Sequence, residues 1–116
     1  LIVDDEPAIR TVARRALERR GYSVVDAPGG VEALAIAGNR SVRIGVLLTD
    51  MVMPGMHGRE LIKRFTAIRP GVPVVCMSGY ADDSAPAVDL GESVVALVAK
   101  PFTVDALIRA LEKSEP

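Results

Sequence analysis

The 116-residue sequence has no tryptophan, one histidine and one cysteine, and only 3% of its residues are aromatic. A lone cysteine, Cys76, excludes an internal disulfide and fits a reducing compartment. A lone histidine, His57, excludes a histidine-rich metal centre, and its loop position predicts a solvated side chain. No apolar run approaches the roughly 20 residues that span a bilayer, so no membrane insertion is expected. A formal net charge of -1 provides no sequence-wide attraction for nucleic acid, and none is expected to bind through this chain.

What is present suits a folded globular unit. Hydrophobic residues make up 49% and charged residues 25%, which predicts one domain over residues 1–116 with a single sizeable core. The chain opens on Leu1, already inside an apolar run. This reads as a fragment of a larger protein with a truncated first strand.

Apolar runs and helical periods alternate along the chain. A short strand, Leu1 to Val3, ends in Asp4, Asp5 and Glu6, and Pro7 suits the first turn of a helix. Ile9, Val12, Ala13, Ala16 and Leu17 follow its inward stripe, and Gly21 stops it. The stretch 22-YSVVDA-27 reads as a second strand, and Val31 to Ala37 as a second helix. A third strand, 44-IGVLLTD-50, precedes a helix over about 59–68 with Leu61, Ile62, Phe65 and Ile68 on one face. A fourth strand, 74-VVCM-77, is followed by 80-YADDSAPAVDL-90, where Pro86 allows at best a short or irregular helix. A fifth strand, 94-VVALVA-99, leads to a last helix capped by Thr103, with Val104, Leu107, Ile108 and Leu111 inward. Continuously apolar strands imply a sheet covered on both faces. The fold class is α/β: a five-stranded parallel sheet in a three-layer sandwich.

In such sheets the ligand crevice lies beyond the C-terminal strand ends. Those ends carry Asp4 and Asp5 after strand one, Asp50 on strand three, Ser78 after strand four and Lys100 after strand five. Neighbouring carboxylates repel unless a cation sits among them, and oxygen-only ligands favour Mg2+ or Mn2+ over zinc. Lysine and serine at the same mouth offer a charge and a hydrogen bond to phosphoryl oxygens. Asp50 is the candidate nucleophile, since carboxylates form acyl phosphates.

The segments 3-VDDE-6, 50-DMVMPGMHG-58, 77-MSG-79 and 100-KPF-102 resemble, in order and spacing, the receiver domain of bacterial two-component response regulators. That resemblance covers essentially the whole chain. It implies the flavodoxin-like fold with strand order 2-1-3-4-5, and Asp50 as acceptor of a phosphoryl group from a histidine kinase or phosphotransfer domain. It further implies Mg2+ held by Asp5, Asp50 and the Val52 backbone carbonyl, with Asp4 acting through water. Lys100 would pair with Asp50 and then the phosphoryl group, Ser78 would hydrogen-bond a phosphoryl oxygen, and Pro101 would follow a cis peptide bond. Implied partners are the kinase and an output domain or protein. The implied location is the cytoplasm, or the cytoplasmic part of a membrane-anchored hybrid kinase.

Two positions depart from the family's pattern. Receivers usually carry Tyr or Phe where this chain has Leu97, so the aromatic half of the switch is expected to be absent or rerouted. Val52 cannot position an attacking water, which predicts slow self-dephosphorylation. It also disfavours the alternative of an aspartyl-phosphate-forming phosphohydrolase, which wants a second Asp at that place. A flavin-binding module is disfavoured because no Ser/Thr-rich phosphate loop follows strand one.

Overall fold

The structure, a computed structural model, describes residues 1–78 and 93–114. The irregular helix expected over 80–90, and Tyr80 with it, lie outside the described residues. Within them the order is β1 (Ile2–Val3), α1 (Pro7–Arg19), β2 (Asp26–Ala27), α2 (Gly30–Gly38), β3 (Leu47–Asp50), α3 (Gly58–Ile68), β4 (Val74–Ser78), β5 (Val94–Ala99) and α4 (Val104–Glu112). The five strands form one parallel sheet of order β2-β1-β3-β4-β5.

Strand side chains alternate between two faces, and each face has its own core. Leu1, Val3, Leu47, Val74 and Cys76 pack with Ala33 and Ala37 of α2 and Leu61, Ile62 and Phe65 of α3. Ile2, Leu48, Val75 and Met77 pack with Ala13 and Leu17 of α1 and Leu107, Ile108 and Leu111 of α4. The expected three layers are therefore present, with two described helices on each side of the sheet. Thr103 caps α4 as its residue type predicts, its hydroxyl accepting the Ala106 amide at 3.1 Å.

Four expectations need correction. The second strand is shorter than 22–27, spanning Asp26–Ala27: its bonding to β1 starts with the Val25 carbonyl, which accepts the Ile2 amide at 2.9 Å, while the Val24 carbonyl accepts the Arg14 side chain at 3.1 Å. The third strand begins at Leu47 rather than Ile44: its pairing with β4 starts at Leu47 opposite Val74, and Pro73 just before it has no amide to donate and offers only its carbonyl, to the Leu47 amide at 3.0 Å. Val12 and Val104 are 51% and 45% exposed rather than inward. Val12 sits on the shoulder of the stripe, about 100° around the helix from Ala13; a side chain in the first turn of α4 points past the helix end. Finally, cover on both faces was expected for β5, but its Val95 and Leu97 are 37% and 48% exposed, and among the described residues it pairs with β4 alone.

Candidate functional site

The site begins with register. Ile2 pairs with Leu48 and Val3 with Thr49, so Asp4 leaves β1 beside Asp50 at the end of β3. Carboxylate oxygens of Asp4, Asp5 and Asp50 all lie within 4.8 Å of one another. Asp4 and Asp50 are buried, whereas Asp5 is exposed at the rim. Lys100 arrives from the opposite side of the sheet. Its amide donates to the Ser78 carbonyl at 2.7 Å, which ties the end of β5 to the end of β4. The Lys100–Pro101 peptide is cis. The Lys100 ammonium lies 2.6 Å from Asp4 Oδ2, 3.3 Å from Asp50 Oδ2 and 4.0 Å from Glu6 Oε1.

The charges shape one another. Burial pushes the Asp50 carboxyl above its ordinary range; Lys100 pulls it down, the neighbouring Asp4 charge pushes it up, and the upward shift prevails. Burial alone would lower the Lys100 ammonium. Its hydrogen bond to Asp4 and the attraction of Asp50 and Asp4 outweigh that and raise it, so Lys100 stays charged.

The backbone around Asp50 is held as firmly as its side chain. The Thr49 hydroxyl donates to the Asp50 carbonyl at 2.9 Å, and the Met51 amide donates to the Met77 carbonyl at 3.1 Å. The chain then turns through Gly55, which has φ +84°, and returns so that the Gly58 amide donates to the Met51 carbonyl at 3.0 Å. A Cβ on Gly58 would stand 2.5 Å from the Asp50 carbonyl oxygen, so only glycine lets α3 begin this close to β3.

Asp4, Asp5, Asp50 and Lys100, predicted from separate strand ends, are thus brought together. Ser78 is the last residue of β4, on the strand between β3 and β5. The Val52 amide lies 3.5 Å from Asp50 Oδ1 while its side chain is exposed. His57 is exposed, Cys76 is buried, and Met53 and Met77 are core residues as their types suggest. Lys100 pairs with Asp50 as expected, and makes a shorter contact with Asp4. Three contributors were not singled out. Glu6 donates its amide to Asp4 Oδ1 at 2.9 Å; Arg10 donates to the Asp4 carbonyl at 2.7 Å; Asp26 lies 3.6 Å from Arg10. Asp26 opens β2, one residue before its C-terminal end, so a rule that looks beyond strand ends passes over it.

No nitrogen or sulfur ligand joins the acid cluster among the described residues, and three oxygens that close suit one small hard cation. No helix among the described residues is long and apolar enough to cross a membrane.

Comparisons with known proteins agree with this geometry. The profile of the family described as "Response regulator receiver domain" matches residues 1–112. Sensor kinase CckA of Brucella abortus is 33% identical over 113 residues, covering 97% of this chain and 12% of the kinase. Sporulation initiation phosphotransferase F of Bacillus subtilis is 34% identical over 118 residues, covering 100% of this chain and 92% of that protein. The chain thus spans about an eighth of the CckA kinase, and 24% of the transport regulator DctD of Rhizobium meliloti. Among solved structures, a receiver domain protein from Clostridium thermocellum superposes with a TM-score of 0.87 at 27% identity, covering 97% of this chain and 90% of that one. The receiver domain of the hybrid histidine kinase CckA gives 0.83 at 33% identity, covering 99% and 96%. Fold, acid cluster and family profile converge: this chain belongs to the response regulator receiver domains of two-component systems.

Proposed function

We propose that residues 1–116 act as one receiver module that takes a phosphoryl group onto Asp50 and thereby switches contacts with a partner protein. The observation that carries this reading is the Lys100 ammonium placed between Asp4 and Asp50, beside an acid cluster suited to Mg2+ or Mn2+. Asp5, Asp50 and the Val52 carbonyl would hold the ion, with Asp4 acting through water. When bound, the ion supplies charge neutralisation at phosphoryl oxygens.

The remaining chemistry belongs to the chain. An Asp50 oxygen attacks phosphorus of a phosphohistidine on a histidine kinase or phosphotransfer domain. The P–N bond breaks, its electrons stay with the imidazole, and an acyl phosphate remains on Asp50. A rigid strand end holds Asp50, so little reorganisation is needed. Lys100 follows the charge from the carboxylate to the phosphoryl group, and Ser78 supplies a hydroxyl to one of its oxygens. An output domain or separate protein reads the change, in the cytoplasm. The apolar Val52 side chain at the mouth offers no general acid for turnover of external phosphoesters.

The test is incubation with acetyl phosphate or phosphoramidate and Mg2+. Intact-mass measurement should show a gain of one phosphate that is absent with a chelator and absent in Asp50→Asn. Phosphorylation of the Asn variant to the same extent would overturn the assignment.

A further inference from the structure

Arg10 is a cation directed at the edge of a site built to hold a cation. On charge alone it opposes ion binding, so its presence calls for another explanation. Asp4 is fully buried, and β1 stops at Val3, so the Asp4 carbonyl lies beyond the strand ladder. A buried carbonyl needs a donor. Arg10, in the first turns of α1, folds back and donates to it through Nη1 at 2.7 Å. The same guanidinium places Nε 3.6 Å from Asp26 Oδ2 on β2, and Arg14 holds the other Asp26 oxygen at 3.2 Å. The turn between β1 and α1 has no side-chain cap at Glu6. Within the turn, the Glu6 amide on Asp4 Oδ1 is a second tie. The planar fork of arginine can bridge two acceptors at fixed angles, which a lysine ammonium on a flexible stem does not reproduce.

We propose that Arg10 is a positioning residue: by bridging the Asp4 carbonyl to Asp26 it fixes the turn that presents Asp5 to the cation. This rests on the reading of Asp4, Asp5 and Asp50 as a divalent-ion site. Asp26 contributes through Arg10 and not as a ligand, since its two oxygens are engaged by Arg10 and Arg14.

The experiment is Mn2+ titration of the chain, following free Mn2+ by electron paramagnetic resonance well below the unfolding temperature. Wild type is compared with Arg10→Lys, Arg10→Met and Asp50→Asn. Arg10→Lys keeps the charge and should weaken Mn2+ binding by about tenfold, the scale seen when groups that orient ligands are removed. Arg10→Met should also weaken it, although loss of a positive charge alone would tighten it. Circular dichroism establishes that each variant is folded. If neither alters secondary structure, a purely structural role predicts unchanged affinity with a lower unfolding midpoint. Should Arg10→Met fail to fold, Arg10→Lys carries the test. Affinity equal to or tighter than wild type in the folded variants overturns the positioning role. Wild type that does not bind Mn2+, or that binds no better than Asp50→Asn, overturns the ion site and the proposal together.

Discussion

Lys100 and Asp4 are separated by 96 positions in sequence, yet their side chains meet at 2.6 Å, closer than the 3.3 Å from Lys100 to Asp50. The lysine therefore shields the buried acid first and touches the proposed phosphoacceptor second. On the proposed reading, Asp50 is the acid that can exchange its partner while Asp4 keeps hold of the lysine.

Replacing Lys100 by Met leaves two buried carboxylates facing each other. The ion-free variant should lose about 2 kcal/mol, less than the cost of orphaning a wholly buried pair because the Lys100 side chain is 12% exposed. Urea titration in chelator measures this, and adding Mg2+ should narrow the deficit. An unchanged urea midpoint would show that the pair contributes nothing.

Asp50→Asn should stabilise the ion-free chain at neutral pH. The folded Asp50 carboxyl lies above its unfolded value, so its stabilising contribution is present below the unfolded value and lost as pH rises through the folded one. The neutral amide of the variant avoids that loss. Urea midpoints of the two proteins should converge on acidification; a gap that widens toward low pH contradicts the assignment.

Gly58→Ala and Gly30→Ala form a matched pair. At Gly58 the added carbon meets the Asp50 carbonyl oxygen at 2.5 Å and Met51 Cα at 2.8 Å, both backbone. At Gly30 it meets Met56 Sδ at 2.5 Å, on a flexible side chain. The first substitution should cost about 2 kcal/mol and slow phosphorylation by acetyl phosphate, while the second costs about 1 kcal/mol or less. Equal effects in urea titration would mean that the approach of α3 to β3 is not tight.

Cys76 should be silent to thiol reagents until the chain unfolds. Burial pushes its thiol from 9.0 up to about 12. The stability this confers is complete below pH 9 and lost toward pH 12, at about 1 kcal/mol per pH unit. Urea titration of Cys76→Ala should show a shallower alkaline decline than wild type. Rapid labelling of native protein would place the thiol at the surface instead.

Val52→Asn should speed loss of the acyl phosphate by about tenfold or more, because a polar side chain at the exposed mouth can orient water where Val cannot. Decay is followed by intact mass after the phosphodonor is removed. A wild-type half-life of seconds would count against the slow decay expected of an apolar residue there.

The sheet, and the meeting of the candidate site's residues, were largely legible because the signals were redundant. Apolar runs alternated with helical periods, and Asp4, Asp50, Ser78 and Lys100 each followed a run. Hydrogen-bond partners that cross elements were not legible. Arg10 reads as a solvated helix residue until β2 is placed beside β1, and Arg14 reaches the Val24 carbonyl by a contact that no local pattern encodes. Exposure at helix shoulders and sheet edges was also hidden. Val12, Val95 and Leu97 are apolar by type and open by position, which depends on what packs over them. Leu97, where receivers usually carry an aromatic, is 48% exposed on β5.

The division of β1 between two compartments makes its phase critical. Leu1 and Val3 serve one interior and Ile2 the other. Inserting or deleting a single residue before Asp4 would exchange those memberships and trade the sheltered acid for the open one. The chain should tolerate conservative replacements along this strand far better than any frame change of its alternation.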